Sequence, residues 1–319
     1  MNAPAEEFDH QPVMRDEIVA VFSAVPGGVV VDATLGGGGH SRALLESRGD
    51  LRILGIDQDA DALGAAMEHL ADLADRVVTS RRRFDQFDEA LADHGVTEIS
   101  GVLFDLGVSS PQLDRADRGF SYRHDGPVDM RMDDQQTWSA HDVVNGYERS
   151  DLARIIRTHG DERFARRIAD AIVQARPIES TTQLAEVVTT AIPAAARRTG
   201  GHPAKRTFQA IRIEVNAELE VLPAALDQAI AATVPGGRIA VLSYHSGEDR
   251  IAKQRFTLAA GACDCPHDLP CVCGAVQTVR VVRGVPKRAS HDEQQRNRRS
   301  SSALLRVVEK TEPTPKGIG

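Results

Sequence analysis

The early part of the chain sets short, unbroken apolar runs against aspartates. Val29, Val30 and Val31 run into Asp32, the strand expected at residues 52–56 is apolar after Arg52 and closes on Asp57, and residues 101–104 close on Asp105. Runs without polar alternation fit strands covered on both faces, as in a parallel sheet. Between them the period changes. Residues 41–47, 60–73 and 87–94 carry helical patterns, with Leu63, Met67 and Leu70 on one face of the second, and residues 77–79 read as a further strand. Strand and helix in alternation predict a mostly parallel sheet with helices on both sides.

That rhythm stops near Gln112. Residues 150–159, 162–175 and 182–191 are helical in pattern, and no convincing strand occurs before Val215. The alternation resumes with a helix at 216–233, a turn at Pro235-Gly236-Gly237 and a strand at 238–243, and it ends with a strand at 303–308. The expected organisation is therefore a discontinuous α/β domain, residues 1–112 and 216–310, around an all-helical insertion at 113–215 that recognises substrate. A Pro/Gly-containing tail, 311–319, is expected to be loose.

Composition changes this picture little. Apolar residues make up 41% and charged residues 26%, which suits a globular chain. Residues 1–10 are acidic and lack the basic start and apolar run of a secretory signal, and no stretch approaches the roughly 20 apolar residues of a membrane span. A cytoplasmic protein is expected. The net charge is −8, yet Arg280, Arg283, Lys287, Arg288, Arg296, Arg298, Arg299 and Arg306 crowd the end of the chain against only Asp292 and Glu293. Such a run reads either as a polyanion-binding patch or as a solvated segment. All four cysteines fall in Cys263-x-Cys265-x5-Cys271-x-Cys273. In a reducing compartment that cluster reads as a small structural zinc site or as free thiols in a turn-rich loop.

The candidate chemistry sits where the strands end, since ligands of doubly wound sheets lie outside the carboxyl ends of the strands. Glycines 36–39 let backbone approach a ligand closely, and the helix that follows offers free N–H groups to an anion. Asp57, about 20 residues further on, stands where a carboxylate accepts ribose hydroxyls. A nicotinamide enzyme shares this layout, but the third glycine of G-x-G-x-x-G is replaced by Ser41 or Ala43, depending on the starting glycine. S-adenosylmethionine, with its methionine carboxylate over the helix, fits better. The segment Asp105-Leu106-Gly107-Val108-Ser109-Ser110-Pro111-Gln112 places polar groups after the fourth strand. Asp105, Ser109 and the carbonyls around Ser110 and Pro111 are acceptors able to hold the hydrogens of a planar amine, whose lone pair is otherwise delocalised. Taken alone, Ser-Ser-Pro is equally the turn that opens the insertion.

Taken together these motifs resemble the bacterial ribosomal RNA small-subunit methyltransferase H family, also called MraW. The likeness runs through Asp32 to Ser41, Gly55-Ile56-Asp57-Gln58-Asp59, Asp105 to Asp114, Arg118-Gly119-Phe120-Ser121-Tyr122 and Asp129-Met130-Arg131-Met132-Asp133. It continues in Gly160 to Ala165, His202-Pro203, Arg206-Thr207-Phe208-Gln209-Ala210 and Ser243-Tyr244-His245-Ser246. The resemblance implies a Rossmann-like class I methyltransferase sheet and S-adenosylmethionine-dependent methylation of a cytosine 4-amino group in the decoding region of 16S rRNA, with the small ribosomal subunit as partner. It implies cofactor contacts at Gly38, Gly39, His40, Asp57, Phe84, Asp105 and Gln112, and a catalytic group of Asp105, Ser109, Ser110 and His245. His245 is also readable as a hydrogen-bonded residue at a strand end. Arg118, Arg131, Arg163 and Arg206 become candidates for RNA phosphates, or for pairing with nearby acids. Gly247, Lys205 and Ser301 depart from the family pattern, none of them in the implied cofactor shell. A non-catalytic RNA-binding assembly factor that keeps the cofactor, and a nicotinamide oxidoreductase, stay open as rival readings.

Overall fold

The computed structural model describes residues 11–197, 201–262 and 274–315. In chain order its elements are α1 (Arg15–Phe22), β1 (Gly28–Asp32), α2 (Gly39–Ser47), β2 (Leu51–Asp57), α3 (Ala60–His69), β3 (Val77–Arg81), α4 (Phe87–Asp93), β4 (Ile99–Asp105) and α5 (Ser110–Asp114). Then follow α6 (Ala140–Gly146), α7 (Arg149–Thr158), α8 (Ala165–Ala175), α9 (Thr181–Ala191), α10 (Ala194–Arg197), α11 (Lys205–Asn216) and α12 (Glu218–Ala232). The last are β5 (Thr233–Ser243), α13 (Ser246–Ala259), β6 (Val276–Val281), α14 (His291–Arg296) and β7 (Leu304–Pro315). The chain divides into two compact units, Met1–Gly107 with Val221–Gly319, and Val108–Glu220.

The first unit is built on a seven-stranded sheet of order β3-β2-β1-β4-β5-β7-β6. β3 to β5 run parallel, while β7 and β6 pair antiparallel. This is the expected Rossmann-like sheet, with the strand order reversing between β1 and β4. Sequence neighbours on each strand face opposite ways. Val30, Ile53, Leu103 and Leu242 enter one core with Ile18, Phe22 and Leu44. Val31, Leu54, Val102 and Val241 enter another with Phe87, Leu222, Leu226 and Phe256. Both faces are thus covered, which is why the strands read as continuous apolar runs.

The second unit is helical. α7 buries Leu152, Ile155 and Ile156, and α8 buries Ile168, Ala169 and Ile172, the three-and-four spacing of one apolar stripe. These stripes meet Leu184, Val188, Phe208 and Ile211 in a single core.

Several elements depart from the sequence pattern. The helix expected over 60–73 stops at His69 and tightens into a 3-10 stretch, Ala71–Arg76. The helix expected over 216–233 is preceded by another, because Ala217 adopts a left-handed conformation (φ 52°) between α11 and α12. The turn at Pro235-Gly236-Gly237 lies inside β5 as a register shift against β4. β7 continues to Pro315, into the segment expected to be loose. No helix among the described residues is long and apolar enough to cross a membrane.

Candidate functional site

The tips of β1, β2 and β4 carry Asp32, Asp57 and Asp105, and the loop after β1 joins them. Gly38 caps α2 in the left-handed region (φ 76°) with no side-chain cap. A Cβ there would lie 2.9 Å from Leu70 Cδ1, and one on Gly39 would lie 2.9 Å from Pro12 Cγ, so a side chain at either position would push a neighbour aside, and at Gly38 it would also strain the backbone. The first-turn N–H groups of α2 therefore stay available, on the end of the helix where the dipole favours an anion.

Asp57 ties the loop to β2. Its Oδ2 accepts the Gly36 N–H at 2.8 Å and its Oδ1 accepts the Asp59 N–H at 2.9 Å. Burial pushes its carboxyl up to about 6 despite these donors, with Asp59 and Asp32 adding repulsion. Asp32 is buried and accepts the Ser41 hydroxyl at 2.7 Å. Burial holds it above the usual carboxylate range, against the Ser41 bond and the nearby His40.

Asp105 is fixed from both sides. Its backbone N–H donates to Thr34 Oγ1 at 2.6 Å, and its Oδ1 accepts the Tyr244 hydroxyl at 2.7 Å. Burial, and then the Asp105 charge, push the Tyr244 phenol well above its ordinary value, so it stays a donor. Asp105 Oδ2 lies 3.6 Å from His40 Nε2, beyond hydrogen-bond reach. Neither ring nitrogen of His40, a residue only 5% exposed, has a hydrogen-bond partner among the described residues. Buried polar atoms are as a rule paired with protein, water or a ligand. Phe84, half-buried after β3, sets its ring edge-on to Phe104 at 6.1 Å.

The structure thus brings Gly38, Gly39, His40, Asp57, Phe84 and Asp105 to the carboxyl end of one sheet. Open backbone at a capless helix end, a carboxylate at the next strand tip and an aromatic ring are groups able to receive an anion, hydroxyls and a flat ring.

The remaining predicted residues have other settings. Ser109 and Gln112 form a capping box on α5: Gln112 Oε1 accepts the Ser109 N–H at 3.0 Å and Ser109 Oγ accepts the Gln112 N–H at 3.4 Å. The Ser110 side chain lies outside what the structure describes, as do Cys263, Cys265, Cys271 and Cys273. Among the described residues no three His, Cys, Asp or Glu side chains gather as a metal site. His245 caps α13, its Nδ1 accepting the Gly247 N–H at 3.2 Å, while Nε2 stands 3.1 Å from the buried Glu248 at an ion-pair distance without hydrogen-bond geometry. Its neighbour Tyr244 is the residue that reaches Asp105.

The arginines also divide. Arg118 donates to the carbonyls of Arg131 and Met132, and Arg131 makes a two-point pair with Asp129 at 2.8 and 2.7 Å. Arg163 lies over the Phe164 ring at 4.6 Å, and Arg206 is exposed, donates to the Asp161 carbonyl at 3.2 Å and stands 4.0 Å from the Glu162 carboxylate. In the late basic run, Arg306 is paired with Asp249 and Arg280 with Glu309.

Known proteins resemble the chain over nearly its whole length. The MraW methylase family matches residues 7–311. The ribosomal RNA small subunit methyltransferase H of Paenibacillus sp. (strain JDR-2) is 50% identical over 314 residues, 95% of this chain and 99% of that one. The protein of the same name from Symbiobacterium thermophilum is 49% identical over 308 residues, 95% and 97% of the two chains. Among solved structures, an rRNA methylase from Streptococcus thermophilus aligns over 93% of this chain and 94% of its own, at 13% identity and a TM-score of 0.41.

Proposed function

The chain belongs to the MraW methylase family, and from that premise we propose that it methylates 16S rRNA of the small ribosomal subunit with S-adenosylmethionine, at the 4-amino group of a cytosine in the decoding region. The observation that carries the reading is the capless start of α2 beside three carboxylates at the tips of β1, β2 and β4.

S-adenosylmethionine supplies, when bound, an electrophilic methyl group on a positively charged sulfur. The residues here would hold it in parts. The N–H groups of Gly39 and His40 would face its carboxylate, and Asp57, beyond the two backbone bonds it makes, would have one lone-pair position on each oxygen for the sugar hydroxyls. Phe84 offers a ring to the base.

Asp105 takes the substrate side. Tyr244 occupies Oδ1, which leaves Oδ2 as the acceptor for an amine N–H. Holding that hydrogen turns the nitrogen lone pair out of the ring and toward the methyl donor, so orientation supplies the acceleration and no strong base is required. Ser109 and the carbonyls around Ser110 and Pro111, next along the chain, are assigned to the second hydrogen. His245 orients the start of α13. The cytosine must be unpaired or turned out of its stack to reach such a position.

The test is single-turnover transfer of labelled methyl to isolated small subunits, read by mass spectrometry of nucleosides. Labelled N4-methylcytidine is expected. Bound cofactor with no labelled cytidine would make the protein a non-catalytic assembly factor, and calorimetric binding of NAD in place of S-adenosylmethionine would make it an oxidoreductase.

A further inference from the structure

Within the helical unit, two sequence motifs that the methyl-transfer site does not use come together. Tyr122, from Arg118-Gly119-Phe120-Ser121-Tyr122, and His202, from His202-Pro203, stack with ring centroids 4.5 Å apart and planes 17° from parallel. Phe208 meets the Tyr122 ring edge-on at 5.8 Å and anchors it to the core. Tyr122 is half-buried, while His202 is exposed.

The histidine is held flat and neutral. Its Nδ1 accepts the Ala204 N–H at 3.2 Å ahead of α11, and burial against the tyrosine, with Arg123 nearby, lowers its tendency to take a proton. Arg123 stands over the Tyr122 ring at 5.7 Å and is exposed, as is Lys205, three residues after His202. A flat neutral ring backed by a second ring and edged by exposed cations is how proteins seat unpaired nucleotides: bases stack on the ring and phosphates meet the charges.

We propose that the Tyr122–His202 stack is a platform for one unpaired RNA base, with Arg123 and Lys205 taking the phosphates beside it. This rests on the reading of the protein as an RNA methyltransferase and assigns substrate grip to named residues of the helical unit. An acidic peptide would use the cations and ignore the ring.

Two substitutions separate stacking from architecture. His202→Asn keeps an acceptor for the Ala204 N–H and removes the ring, whereas His202→Phe keeps a ring and removes the acceptor. Fluorescence titration of an unstructured oligocytidylate of about 12 nucleotides, and of the same backbone without bases, is the measurement. His202→Asn is expected to weaken the base-bearing oligomer by about 5-fold to 100-fold and to leave the abasic one unchanged, with His202→Phe close to the unaltered protein. Arg123→Ala should weaken both oligomers alike and flatten the salt dependence. The reverse order of the two His202 variants, or equal loss for both oligomers, overturns the platform. Small subunits methylated normally by His202→Asn would do the same. Base-dependent binding without any methyl transfer by the unaltered protein would instead overturn the enzymatic reading and leave the platform standing.

Discussion

The two ends of the parallel strands are built on opposite electrostatic terms. At the amino end, arginines are spent on backbone and on acids. Arg238 donates to the Val21 carbonyl at 2.9 Å and pairs with Glu309, which Arg280 also holds, and Arg48 donates to the Val25 carbonyl at 2.7 Å. Arg76 reaches the carbonyls of Arg48 and Leu45. At the carboxyl end, Asp32, Asp57 and Asp105 find hydroxyls, backbone N–H groups and an imidazole, and no arginine or lysine among the described residues. One end closes the fold with matched charge; the other holds acceptors in place at some expense of stability, as a site preorganised for a ligand does.

Removing a group from the carboxyl end should therefore cost function and spare stability, and the amino end should behave the other way. The largest effect is expected for Asp105→Ala, about 10²-fold to 10³-fold slower transfer in single turnover, the range for loss of one preorganised polar group. A loss of less than tenfold would remove Asp105 from the chemistry. Asp57→Ala should weaken S-adenosylmethionine by about 1 to 3 kcal/mol in calorimetry, because the sugar hydroxyls lose their acceptor. An unchanged dissociation constant would count against the cofactor assignment. Arg238→Ala should lower stability by roughly 1 to 2 kcal/mol in denaturant melts, through the Val21 carbonyl left unserved, and leave cofactor affinity alone. A change in affinity equal to that in stability would erase the contrast between the ends.

The smallest effect is one of pH. Asp57 titrates at about 6 instead of its ordinary 3.8, so its contribution to stability is full below about 3.8 and is lost as pH rises through about 6. Binding that needs the carboxylate runs the opposite way. S-adenosylmethionine affinity should fall as pH drops below about 6, by at most about tenfold per unit, and Asp57→Asn should flatten that slope. A slope that persists in the variant would point to Asp32.

Much of the carboxyl end was legible in the sequence because one strand run and its terminal aspartate lie side by side along the chain. Asp57 and Asp105 announce themselves in this way, and glycines 36–39 mark the loop between β1 and α2. Tyr244 did not, although its motif was in view. Its role depends on a contact with Asp105 across 139 positions of chain, and only the pairing of β4 with β5 creates it. The neighbouring His245 drew attention as a titratable side chain, yet local capping of α13 claims it. Asp32 reads as the opening of a glycine loop, and its burial with Ser41 emerges only when α2 folds back over β1.

The same reasoning explains the missed elements of the fold. β6 shows Val276, Arg280 and Val281 to solvent and buries only Val279, so an edge strand leaves no alternation to find. α13 starts from a capping box that uses histidine where serine or threonine is usual. The break at Ala217 has no glycine to mark it.

The direction of β7 has a practical side. It begins opposite Ser243, next to the site, and runs antiparallel past Arg238 before its last residue, Pro315. A tag, dye or surface tether joined at Pro315 is attached to the strand end opposite the one beside Ser243 and the site. Immobilising the protein at that end holds it by the strand end away from the three aspartates, which suits sensor measurements of cofactor binding.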